Sequence, residues 1–92
     1  MMTIHKYAVP APRFNECVIE MPRHAKAIHV AAQGEEIMLW AEVDTEEPMV
    51  PRRFCVFGTG HRLTPAAMNG RYIGTAHLSG LGLVFHVYEA KP

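Results

Sequence analysis

The segment Arg52-Arg53-Phe54-Cys55-Val56-Phe57-Gly58-Thr59-Gly60-His61 holds the residue types best suited to chemistry in this chain. An apolar run leads into a turn with two glycines, and a histidine stands at the exit. Such turns let backbone N–H groups face outward together, and the resulting concavities attract anions. In this reading Gly58, Thr59, Gly60 and His61 hold a phosphate, Arg53 and Arg71 neutralise its charge, and Tyr72 or Trp40 stacks a base. His61 suits a phosphate donor or a proton carrier. The turn lacks the GKS or GKT of a phosphate loop and does not match the dinucleotide-binding fingerprint. The plainer role of the same glycines is to let the chain leave a strand, with Thr59 bonding the bend.

Other reactive residue types lack the spacing that chemistry requires. Six histidines are present, His5, His24, His29, His61, His77 and His86, without HxH or HExxH spacing. No metal site is expected. His77 and His86 fall on consecutive expected strands, where they could face each other. Cys17 and Cys55 sit inside apolar runs and read as buried free thiols. Ser79 lies in no GxSxG elbow, so no catalytic residue is assigned. Glu35-Glu36 and Glu46-Glu47 read as solvated turn charges.

The elements that must position these groups are short strands. Apolar, β-branched or aromatic runs recur at Thr3–Val9, Glu16–Met21, Ala25–Ala32, Glu36–Val43, Arg52–Phe57, Arg71–Leu78 and Leu83–Glu89. Pro10 and Pro12 close the first and Pro22 the second. Gln33-Gly34-Glu35 forms a hairpin turn. Asp44–Pro51, acidic and with two prolines, reads as a loop. Pro65–Met68 is one helical turn, and Ser79–Gly82 joins a final hairpin. The only competing helical stretch, Phe14–Ala32, is broken by Pro22. The pattern predicts an all-β fold with a minor helical turn: a small antiparallel sandwich or open barrel of about seven strands, in one domain spanning 1–92. Leu83–Glu89 is apolar on both faces, and the face of Val84, His86 and Tyr88 could meet a second sheet, a partner subunit or a ligand, with a subunit favoured over a ligand pocket on size alone.

Composition narrows the function classes. The 92 residues carry nine basic and nine acidic side chains, for a formal net charge of zero. That balance argues against a general nucleic-acid or membrane-surface binder. The start of the chain lacks a signal-peptide pattern and no run is long enough to span a membrane, so a cytoplasmic protein is expected. The apolar fraction of 49% in so short a chain favours a homo-oligomer.

Several strings, taken in order, carry a resemblance: Ile4-His5-Lys6-Tyr7, Val18-Ile19-Glu20-Met21-Pro22, Leu39-Trp40-Ala41-Glu42-Val43-Asp44, Arg52-Arg53-Phe54, Gly58-Thr59-Gly60-His61, Arg71-Tyr72-Ile73-Gly74-Thr75 and Leu83 through Glu89. Together they resemble a family of short proteins of bacteriophages and prophages that carries a domain of unknown function. One departure falls at His24, where the family pattern has a glycine. The resemblance implies a mobile-element origin and a place in the host bacterial cytoplasm. It brings no catalytic residue. It brings no established activity either, but small stand-alone phage proteins often act by binding, some against host defence, so a non-enzymatic binding role without cofactor is the expectation. The expected partner is a small anionic ligand such as a nucleotide signal. The alternatives are a host defence protein blocked by surface contact, and a small hydrolase using His61.

Overall fold

The computed structural model describes residues 1–10 and 15–91. These contain seven strands, β1 (Met2–Ala8), β2 (Glu16–Pro22), β3 (Lys26–Gln33), β4 (Glu36–Asp44), β5 (Met49–Gly58), β6 (Arg71–Leu78) and β7 (Leu83–Glu89), and one helical turn, α1 (Pro65–Met68). The all-β expectation holds. The expected break at Pro12 and the start of the competing helical stretch at Phe14 lie outside the described residues.

Two antiparallel sheets form, a three-stranded sheet in the order β1-β4-β3 and a four-stranded sheet in the order β2-β5-β7-β6. They pack face to face as an open sandwich. Period-two alternation builds the shared core. Leu39, Ala41 and Val43 of β4 point inward against Cys17, Ile19 and Met21 of β2, Phe54 and Val56 of β5, and Val87 of β7. The intervening Met38, Trp40 and Glu42 face the other way. No polar or charged side chain among the described residues is buried.

β5 is buried on both faces because it is central. Phe54 and Val56 meet the other sheet, while Cys55 and Phe57 turn outward beneath Ala67 and, at its margin, Leu63 and Ala66. Tyr88 of β7 joins this second cluster. The outward face of β7 is therefore partly covered by the chain's own α1 segment. Thr64 caps α1, its Oγ1 accepting from Ala67 N–H at 3.4 Å. At Gly70, just beyond the turn, a Cβ would stand 2.0 Å from the Glu89 carbonyl oxygen. Only glycine permits that approach.

Two boundaries differ from expectation. The acidic loop is shorter than expected, because β4 runs to Asp44 and β5 starts at Met49. Pro22 is the last residue of β2, opposite Met49, and Pro51 lies within β5 opposite Glu20. Proline is tolerated at strand ends and where its missing N–H does not face the ladder.

Candidate anion-binding cleft

Antiparallel order brings alternate strand ends together. The end of β2, the start of β5, the end of β7 and the start of β6 all lie at one end of the four-stranded sheet. The chain places a cation near each: Arg23, Arg52, Lys91 and Arg71. These four, with His24, Asn69, Gly70 and Glu89, line an open cleft of about 470 Å³.

Each basic group has a different degree of commitment. Arg52 makes a two-point pair with Glu89, Nε to Oε2 at 2.5 Å and Nη2 to Oε1 at 2.9 Å. Both side chains are largely shielded, with 20% and 14% exposure. Arg23 is exposed and donates to Glu47 at 3.2 Å. Arg71 Nη2 donates to the Ala27 carbonyl oxygen at 2.8 Å, reaching from β6 to β3 of the other sheet. Among the described residues Arg71 and Lys91 make no ion pair. Glu89 is the one acid in the lining, so the cleft carries an excess of positive charge. Guanidinium groups are suited to holding oxyanions in two-point contacts.

Main-chain N–H groups contribute little to the cleft floor. Those of Asn69, Gly70 and Lys91 are spent on Pro65, Ala67 and Ala66 carbonyl oxygens. Recognition there belongs to side chains. His24 has a φ of 67°, in the left-handed region. A non-glycine residue thus occupies a glycine-type conformation and puts an imidazole on the cleft wall.

The residues expected to act together are divided among several surfaces. Gly58, Thr59 and His61 line a different hollow, with Gly82, Leu83, Val84 and Phe85. Arg71 lies level with Glu89 and Phe54, whereas Gly58 lies level with Phe85. Four residues of strand separate them, roughly 13 Å. The nest expected at the turn has one donor spent, since His61 N–H donates to Gly58 carbonyl oxygen at 3.1 Å. Gly60 has a φ of 90°, and the His61 ring lies close over Gly58. Arg53 is exposed on the outward face of β5 and reaches Glu16 at 3.4 Å. Trp40 lies on the outward face of the three-stranded sheet beside His29, with ring centroids 5.5 Å apart. Tyr72 packs on Tyr88 at 5.4 Å. Of the expected ligand residues, only Arg71 lines the basic cleft.

The turn carries a hydroxyl–imidazole chain that sequence reasoning missed. Thr59 Oγ1 lies 2.7 Å from His86 Nε2, Thr75 Oγ1 lies 2.9 Å from His86 Nδ1, and the Tyr72 hydroxyl lies 2.5 Å from Thr75 Oγ1. His86 therefore faces Thr75, and His77 pairs with Val84. Both His86 nitrogens are engaged by hydroxyls and no carboxylate orients the ring, unlike a hydrolytic triad.

Arg23, His24 and Lys91 were also missed as site residues, and Arg52 enters the sequence reading only as charge beside the glycine turn. Their signal is positional: each lies near a strand end, and strand order is needed to see that those ends coincide. No group of three or more potential metal ligands occurs among the described residues. No described helix is long and apolar enough to cross a membrane. No curated protein and no solved structure matches the chain. A family model described as a domain of unknown function, DUF7352, matches residues 1–92, and the chain belongs to that family.

Proposed function

We propose that this protein is a non-enzymatic binder of a small, multiply charged anion, held in the cleft of Arg23, His24, Arg52, Arg71 and Lys91. The observation that carries the reading is the convergence of four cations near four strand ends, where Arg52 is paired to Glu89 and Arg23 to Glu47 while Arg71 and Lys91 make no ion pair among the described residues. The ligand class is a phosphate-bearing signal such as a nucleotide, in keeping with the counter-defence role that the resemblance to short phage proteins implies.

The cleft recognises the phosphate end. No Phe, Trp or Tyr side chain lines it, and Trp40 and Tyr72 lie on outward sheet faces. Affinity then follows charge and is indifferent to the base. Calorimetric titration with tripolyphosphate, ATP and GTP tests this. Similar affinities that weaken together with added salt are expected. A strong preference for one base, or no binding of any of the three, would refute the reading.

A further inference from the structure

The four outer edges of the two sheets are not protected alike. β3 and β6 lie against each other, with Arg71 bonded to Ala27 and Gly74 in close contact with Val30. β2 carries Glu16 and Glu20 and ends in Pro22, features that discourage strand addition. β1 has no proline and no bulge, and Lys6 is its only Lys, Arg, Asp or Glu. Met2 and Ile4 on it are 68% and 56% exposed.

The hydrogen-bond phase of β1 is fixed by its ends. Met1 carbonyl oxygen accepts from Thr45 N–H, and Val9 N–H donates to Ile37 carbonyl oxygen, each at 2.9 Å. The register between is unbroken. Odd-numbered residues therefore bond to β4, and Met2, Ile4, Lys6 and Ala8 turn their N–H and C=O groups to the open edge.

We propose that β1 pairs antiparallel with β1 of a second copy of this chain, about a two-fold axis at His5. The two three-stranded sheets become one continuous sheet. Met2 then faces Ala8, Ile4 faces Lys6 and Thr3 faces Tyr7, and the outward groups make about eight main-chain hydrogen bonds. A register centred on Ile4 leaves Ala8 unpaired and makes about six. A shift by one residue sets outward groups against inward ones and makes none. Side chains agree with the His5 register. Ile4 lies beside Glu42 on the same sheet face, so Lys6 of one copy comes opposite Ile4 and within reach of Glu42 of the other. Ala8 lies beside Met38, so Met2 extends the second copy's apolar surface. β1 contributes nothing to the basic cleft, so this interface stands or falls independently of the anion reading.

Sedimentation of the full chain should give a species of twice the 10.3 kDa chain mass. Ile4→Pro removes an N–H that faces away from β4, so it should yield a folded monomer. Ile4→Lys sets two ammonium groups opposite each other and should weaken the dimer about tenfold or more. Under oxidation, His5→Cys should cross-link to itself across the axis, and Thr3→Cys should not. A monomeric wild-type chain, an Ile4→Lys variant as dimeric as wild type, or cross-linking through Thr3→Cys in place of His5→Cys would overturn the proposal.

Discussion

Arg71 Nη2 donates to the Ala27 carbonyl oxygen at 2.8 Å, so a guanidinium on the edge of one sheet is anchored by the backbone of the other. The bond spends part of a five-donor fork and leaves the remainder facing the cleft. Arg71→Ala should weaken tripolyphosphate binding about tenfold or more and cost about 1 kcal/mol of stability. Arg71→Lys keeps the charge and loses the fork, so it should retain more affinity than Arg71→Ala. Calorimetry and urea denaturation measure the two effects separately.

Much of the fold follows from alternation and turn chemistry. The apolar runs at Leu39–Val43 and Phe54–Phe57, the hairpin at Gly34 and the helical turn at Pro65 all lie where local pattern puts them. The acidic loop is overestimated from sequence because Pro48 and Pro51 look like breakers, yet Pro51 lies in β5 at a position that spares the ladder. The cleft was less legible. Arg23, Arg52, Arg71 and Lys91 are far apart in sequence, and only the β2-β5-β7-β6 order brings their strand ends together. The glycine turn at Gly58–His61 is legible as a turn, but local sequence does not reveal that Arg71 belongs to the opposite end of the sheet.

His24 should trade stability for binding. A non-glycine residue at a φ of 67° is strained, and glycine there relieves the strain at the cost of a more flexible unfolded chain. His24→Gly should stabilise the protein by about 0.5–1 kcal/mol. It also removes an imidazole from the cleft wall, so affinity for tripolyphosphate should fall. Paired denaturation and titration curves check both signs.

Glu89 competes with any anion for Arg52. Glu89→Gln frees the guanidinium and removes the one negative charge in the cleft. Anion affinity should rise severalfold. Stability should fall by about 1–2 kcal/mol, because a partly buried two-point pair is lost. An unchanged affinity would show that Arg52 does not face the ligand.

The alkaline limb of stability should be steep. Burial, then the fields of Cys55 and Glu16, push the Cys17 thiol up to about 11 from an ordinary 9.0. Burial likewise raises Cys55 and Tyr7. Each group holds its proton more tightly when folded. Their contribution is intact below about pH 9 and is lost as pH rises through the folded values. Thiol reagents should react slowly with the native chain at pH 8 and quickly once it unfolds. The Tyr7 hydroxyl is buried without a hydrogen-bond partner among the described residues. Tyr7→Phe should therefore be neutral or stabilising, by up to about 1 kcal/mol, and should soften the alkaline limb.

The most direct test of the central claim is calorimetric titration of tripolyphosphate into the wild-type chain and into the double variant Arg23→Ala/Arg71→Ala. The cleft account predicts saturable, salt-sensitive binding at one site per chain in the wild type. It predicts a loss of about a hundredfold in the double variant, with the fold intact by circular dichroism. No binding to the wild type, or equal binding by both proteins, would contradict it.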